Sequence, residues 1–260
     1  MTRRPSRKPG RRDLHAHDRS RSSRLPESVE TLTIERIAAG GDGVARANGM
    51  AVFVPRTAPG DVAQVAYVSH ARHGRGRVLQ LLNASSARVE PQCRHYEHDR
   101  CGGCQLQHLD VATQRAARQA IVQETLRRIG KREVPLPPLD SGEAWGYRSR
   151  LTLTLKRKGQ SWIGGLHPHD DPTRIFALET CHIAHPLLVA VWENVRVLLR
   201  RIELSLPRAG GAVPASLRLS LRLESEADGG TGDGVQLVLE GGTEWPGESA
   251  WVEAAQRADH

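Results

Sequence analysis

The sequence predicts an α+β protein in which a small β-barrel leads into a cysteine-bearing segment and then a mixed α/β domain. Three observations carry this expectation. Residues 30–88 form short runs rich in β-branched residues, broken by Gly and Pro. Three of the four cysteines fall between Cys93 and Cys104. From residue 150 onward, alternating apolar runs are interleaved with one stretch of helical periodicity. A chain of 260 residues accommodates about two compact units.

Composition narrows the setting. No apolar run approaches the ~18 residues that span a bilayer, so no membrane partner and a cytoplasmic location are expected. Four cysteines in so long a chain are too few for a disulfide framework; their clustering points to a metal site in a reducing compartment. The net charge of +8 is concentrated at one end. Residues 1–28 hold nine Arg or Lys against Asp13, Asp18 and Glu27, a net +6. That stretch has too little apolar surface to offset the entropy of ordering, so it is expected to be a disordered basic arm, either solubilising or bound to a polyanion. Pro5, Pro9 and Gly10 interrupt any amphipathic targeting helix.

The expected barrel spans 29–90. Its strands are TLTIERIA, MAVFVP, DVAQVAYVS and GRVLQLL, with turns at Gly40, Gly41 and Gly43 and at Pro55, Pro59 and Gly60. No helical pattern follows the GGDG glycines, so they are turn formers rather than a phosphate cradle. In SHARHGRGR, Arg72, Arg75 and Arg77 flank His73 and two glycines, a pattern that serves either an RNA-contacting loop or a solvated hairpin. With only Phe53 and Tyr67 as aromatics here, base stacking is not expected to dominate.

In CRHYEHDRCGGCQLQHL, Cys101 and Cys104 are separated by two glycines that ease a turn back onto one metal centre, and Cys93 lies eight positions upstream. A fourth thiolate is available only from Cys181, in ALETCHIAHP. Four thiolates suit an iron-sulfur cluster or a structural zinc. His95, His98 and His108 are alternative zinc ligands, though each reads more simply as an exposed side chain.

Residues 91–135 are assigned to this segment and to a basic helix, VATQRAARQAIVQETLRRIGKR, with Ile121, Thr125 or Leu126, and Ile129 near helical spacing. Its arginines serve either solvent or RNA. After the linker PLPPLDSGEAW, the unit 136–260 begins with GYRSRLTLTLKRKG, a half-buried strand, followed by WIGGL and RIFALE as sheet partners. HPHDD at His167–Asp171 reads as an exposed loop rather than a second metal site. Leu187, Leu188, Val191, Val195, Leu198, Leu199 and Ile202 recur at helical spacing. The glycine run of ADGGTGDGV sits between two strand patterns, so it is expected to be a hairpin and not a nucleotide-binding turn.

Two stretches resemble known families. GGDGVARANGMAVFVPRTAPGDV and SSARVEPQC resemble the TRAM domain, a small OB-like module of RNA-modifying enzymes, which implies binding to structured RNA. CRHYEHDRCGGCQLQHLDVATQR together with ETCHIAHP resembles the iron-sulfur segment of the RNA uracil-5-methyltransferases that carry an N-terminal TRAM domain. The resemblance implies a [4Fe-4S] cluster on Cys93, Cys101, Cys104 and Cys181, although the gap from Cys93 to Cys101 is slightly longer than the family's. It places Tyr147 and Arg148 near the RNA path; Arg148 and Arg150 are candidate contacts to rRNA or tRNA, or partners in a strand-edge ion pair.

That family attacks uracil C6 with a cysteine thiolate and transfers a methyl group from S-adenosylmethionine to C5. If all four cysteines hold a cluster, none is left to attack. The sequence shows no βαβ run with a glycine-rich turn. The expectation is therefore the N-terminal and central parts of such an enzyme: an OB-like TRAM barrel, an iron-sulfur segment and a truncated central RNA-binding α+β domain, with no Rossmann methyltransferase domain. S-adenosylmethionine would act only through a missing or separate domain, which makes a separate catalytic chain a possible partner. Two other readings stay open: a non-enzymatic RNA-binding adaptor or chaperone, and a structural-zinc RNA-binding protein.

Overall fold

The computed structural model describes residues 27–139, 142–159, 161–199, 206–224 and 234–256. The basic arm through residue 26 and the glycine run at 225–233 lie outside the described residues.

Six strands build the first unit: β1 (Glu27–Thr33), β2 (Arg36–Ile37), β3 (Gly43–Ala47), β4 (Met50–Val54), β5 (Val62–His70) and β6 (His73–Asn83). Their order in the sheet is β1-β5-β6-β4-β3-β2, antiparallel except where β4 runs parallel to β6. Strand alternation sends Leu32, Val52, Val54, Val65 and Tyr67 inward with Ile34 and Ala45, and β1 reaches β3 as the sheet curls around this core. Asn48 and Gly49, at φ of 51° and 80°, make the two-residue turn between β3 and β4. Both positions need positive φ, which is why Asn-Gly occurs there.

Asp61 fastens the far end of this sheet to the segment that leaves it. Its carboxylate is fully buried and accepts the amide hydrogens of Ala58 (2.6 Å) and Ser85 (2.9 Å). It also receives Arg88 through Nε (2.9 Å) and Nη2 (2.7 Å).

A short helix, α1 (Arg94–Glu97), precedes α2 (Val111–Arg128). Asp110 caps α2 by accepting the Thr113 amide at 2.7 Å. The apolar spacing expected of α2 amounts to little: none of its residues is fully buried. Ala117 and Ile121 touch a small core of Ile37, Ala58 and Leu109, while Val122 and Ile129 stay exposed.

The second unit holds β7 (Arg150–Lys158), β8 (Ser161–Leu166), β9 (Phe176–Ala177), α3 (Pro186–Leu198), β10 (Ser216–Leu223), β11 (Val235–Glu240) and α4 (Glu248–Gln256). Its sheet order is β11-β10-β7-β8-β9, antiparallel at every pairing. Pro186 starts α3 where its missing amide costs nothing. Leu188, Val191, Trp192 and Val195 form the inner stripe of α3 against Leu153, Leu155, Leu219 and Leu221. Gly165 in WIGGL is fixed by its neighbour strand: a Cβ there would lie 1.6 Å from the Phe176 carbonyl oxygen. The strands β10 and β11 that flank the glycine run pair directly, Leu223 opposite Val235, as in a hairpin. Among the described residues, no helix is long and apolar enough to cross a membrane.

Candidate functional site

Cys93, Cys101, Cys104 and Cys181 line one cavity of about 480 Å³ between α1, the CGGC turn and the segment that precedes α3. These are all the cysteines the chain has, and all four are free thiols. Cys93 and Cys101 are buried, Cys104 and Cys181 partly so. Among the described residues, no three His, Cys, Asp or Glu converge tightly enough to form an assembled metal site; the thiols ring the cavity.

Local structure explains how residues so far apart in sequence arrive here. Cys93 stands at the N-terminus of α1, and its amide donates to Gln107 Oε1 at 3.3 Å. The chain then turns back, with the Cys101 amide on the His95 carbonyl at 2.9 Å. The Gly103 amide points at Cys101 Sγ at 3.4 Å. Gly102 permits a close pass of another strand of chain: its amide donates to the His167 carbonyl at 3.0 Å, where a Cβ would sit 3.2 Å from the same oxygen.

The remote cysteine is tied in by the two residues that follow Cys93. Arg94 pairs with Glu179 at 2.6 Å. His95 donates from Nδ1 to Asp99 (2.7 Å) and accepts the Glu179 amide hydrogen at Nε2 (3.0 Å). That backbone bond fixes the Nδ1-H tautomer and sets the chain two residues before Cys181. His95 is therefore a positioning residue. The expectation that His95 and His108 are exposed is wrong: their relative exposures are 2% and 3%. His98 remains exposed.

His108 belongs to a second buried network. The Tyr96 hydroxyl lies 2.6 Å from His108 Nδ1 and 2.9 Å from the Gln105 carbonyl, while His108 Nε2 donates to the Thr57 carbonyl at 3.1 Å. Burial drives the Tyr96 pKa up to about 12 and the His108 pKa down. Burial also pushes the Cys101 thiol up to about 11, against the Gly103 amide and together with the other three thiols. Cys104 and Cys181 are raised by burial as well.

HPHDD, expected as an exposed loop, is exposed at His169 and Asp170 but is tied down by contacts. Pro168 bridges to Cys101, and the His169 amide donates to the Arg100 carbonyl at 2.8 Å. Arg100 pairs with Asp170 at 2.9 Å. This loop is a backing for the CGGC turn. Sequence reading also missed Arg56, whose guanidinium reaches from the first unit to the carbonyls of Tyr96 and Cys101.

The five candidate RNA-contacting arginines fall into two groups. Arg72 occupies the two-residue turn between β5 and β6, and Arg75 and Arg77 are exposed on β6. Arg77 is paired with Glu27 at 3.1 Å. Arg148 and Arg150 line the cysteine cavity instead, and Arg148 donates to the Gly103 carbonyl at 3.4 Å.

A strongly curled small sheet is followed by a four-thiol cavity and an antiparallel α+β unit, and the comparisons with known proteins fall on this arrangement. Residues 24–66 match the TRAM domain family. Over 169 residues, the chain is 36% identical to the 23S rRNA (uracil(1939)-C(5))-methyltransferase RlmD of Thiobacillus denitrificans, covering 63% of this chain and 38% of that protein. The RlmD of Methylococcus capsulatus is 34% identical over 191 residues, covering 71% and 41%. The chain thus spans about two fifths of the length of the curated relatives it matches.

Among solved structures, the tRNA (uracil-54, C5)-methyltransferase of Pyrococcus abyssi, in complex with S-adenosyl-L-homocysteine, superposes with a TM-score of 0.53 at 21% identity. It covers 85% of this chain and 48% of that one. This finding corrects the expected fold class, which excluded a methyltransferase fold: over 85% of its length the chain shares its fold with just under half of a methyltransferase. The exclusion rested on two local signals, a missing glycine-rich turn and a count of thiols. Fold likeness resides in the arrangement of whole sheets and helices, which 21% identity leaves unreadable in a single sequence.

Proposed function

We propose that this chain is the RNA-binding, [4Fe-4S]-binding portion of an RNA (uracil-5-)-methyltransferase acting on rRNA or tRNA. The observation that carries the reading is the convergence of all four cysteines on one cavity beside a TRAM domain. Cys93, Cys101, Cys104 and Cys181 would hold the cluster. When bound, it supplies a four-armed crosslink and a one-electron redox centre. Thiols that ring a cavity of about 480 Å³ suit a polynuclear cluster better than one zinc ion, which needs every sulfur about 2.3 Å from a single point. Such a site belongs in a reducing cytoplasm.

The chain's own residues bind and orient RNA. Arg72 and Arg75 offer guanidinium forks to phosphate on the first unit, and Arg148 and Arg150 do so at the mouth of the cysteine cavity. With every thiol committed to the cavity, none remains to attack uracil C6. The described strands β10 and β11 on either side of residues 225–233 pair antiparallel, which does not suit the strand-to-helix turn that cradles a nucleotide, so no methyl-transfer step is assigned to this part of the chain.

Anaerobic purification followed by metal, sulfide and RNA-binding measurements tests this. The expected results are about four iron and four sulfide per chain, and RNA affinity that falls steeply with salt. Stoichiometric zinc without iron would overturn the cluster, and methyluridine formed by this chain alone from S-adenosylmethionine would overturn the role without chemistry.

A further inference from the structure

The outer face of the first sheet carries a ring arrangement that the one-dimensional pattern hides. Val52 and Val54 point into the core, so Phe53 points out. A Cβ on Gly74 would meet Tyr67 and Val52, which places Gly74 inward and its neighbours His73 and Arg75 outward. Phe53 and His73 meet edge to face with ring centroids 5.8 Å apart. His70, directly opposite His73 in the strand register, adds a third ring at 5.7 Å from His73. Tyr67, the other aromatic of this unit, is buried in the core and unavailable.

Charge around this ladder is mainly positive. Arg72 sits in the turn between His70 and His73, is exposed, and makes no ion pair or hydrogen bond among the described residues. Arg75 lies beside Phe53 in the β4–β6 register and is exposed, with Asp42 in electrostatic reach. Arg46 and Arg77 are paired with Glu35 and Glu27. The centre of the face therefore presents flat π surfaces, held by packing against one another, with two guanidinium groups at their rim.

We infer that this face is a stacking platform for an unpaired nucleobase of single-stranded RNA, with His70 and His73 meeting the base, Phe53 buttressing His73, and Arg72 and Arg75 holding the flanking phosphates. A duplex keeps its base faces stacked on one another and offers only phosphates, so the face selects single strands or loops. Rings contribute to affinity without releasing counterions, whereas each arginine contributes through phosphate and hence through salt. The inference rests on the reading of the chain as an RNA-binding protein.

The test uses the full chain, purified anaerobically, with a short single-stranded oligoribonucleotide carrying one 2-aminopurine and the same strand in a duplex. The wild-type chain is expected to prefer the single strand and to change the 2-aminopurine fluorescence. His70→Ala and His73→Ala are each expected to weaken single-strand binding about tenfold, with the salt dependence unchanged and duplex binding unaffected. His73→Phe keeps a ring and is expected to restore affinity, while Arg72→Ala weakens both RNAs and flattens the salt dependence. Ring variants that bind the single strand like wild type overturn the platform while leaving RNA binding intact. A wild-type chain that binds neither RNA overturns the platform and the functional reading together.

Discussion

Arg56 sits over Tyr96, its guanidinium carbon 3.9 Å from the ring centroid, and donates from the same group to the carbonyls of Tyr96 and Cys101 (the latter at 2.9 Å). One side chain of the β-sheet unit thereby grips the turn that carries a candidate ligand. Its backbone sits at φ +58°, a conformation that costs a non-glycine residue about 1–2 kcal/mol. Arg56→Ala should lose the clamp and keep the strain, lowering stability by about 2 kcal/mol. Arg56→Gly should lose the clamp but relieve the strain, recovering about 1 kcal/mol of that. Both should release iron faster than wild type, as urea unfolding and timed chelator challenge would show. Equal stability of the two variants would remove the backbone part of this account.

Asp61 and Arg88 give a second clamp with a pH signature. Burial raises the Asp61 carboxyl, but the Arg88 fork and the amides of Ala58 and Ser85 outweigh it and hold the group below the usual carboxylate range. A depressed folded value means stability that is present above the unfolded pKa of about 3.9 and lost as pH falls through the folded value. Acid titration of stability should therefore steepen below about pH 4. Asp61→Asn should cost about 3 kcal/mol at neutral pH, because it leaves the Arg88 charge without its partner, and should blunt the acid loss. Melting temperatures from pH 3 to 7 check both.

How far the fold could be read in advance follows from the range of the forces involved. The strands of the first unit and the inner stripe of α3 follow from alternation and helical periodicity, signals set by near neighbours. The strand GVARA escaped because its small residues, buried at four of five positions, carry little hydrophobic signal. The union of Cys93, Cys101 and Cys104 with Cys181 was legible because the chain has four thiols and the family resemblance groups them. The pieces that hold that union together, Arg56, His95 and the His167–Asp171 loop, act across 40 to 84 residues through backbone carbonyls and amides, which have no identity in a sequence. α2 failed in the other direction: its spacing looked amphipathic, yet the chain packs nothing over most of it.

His95 provides a test of positioning apart from ligation. His95→Phe keeps a ring against Phe176, which now lies 5.2 Å away, but strips the Glu179 amide of its partner and leaves Asp99 only His98. A buried donor left unpaired costs about 1–3 kcal/mol. The variant should unfold at lower urea and bind the same amount of iron when freshly reconstituted, yet lose it sooner on dilution into chelator. Full loss of iron at the outset would instead mark His95 as a ligand.

Cys181 is the member whose removal says most, since it alone comes from the second unit. Cys93, Cys101 and Cys104 share one short segment and can be gathered locally, whereas Cys181 lies on the segment leading into α3. On the proposed reading, a metal centre on all four would staple that segment to the CGGC turn, and metal binding energy would become folding energy for the second unit. Cys181→Ser should reduce iron and sulfide to a small fraction of the wild-type content. It should also lower the melting temperature of the anaerobically prepared protein toward that of chelator-treated wild type. The change keeps the side chain's size and its place in the cavity, so the apo forms of variant and wild type should melt alike. A variant that retains full iron and sulfide would free Cys181 from the cluster and make it the one thiol of the chain available for other chemistry.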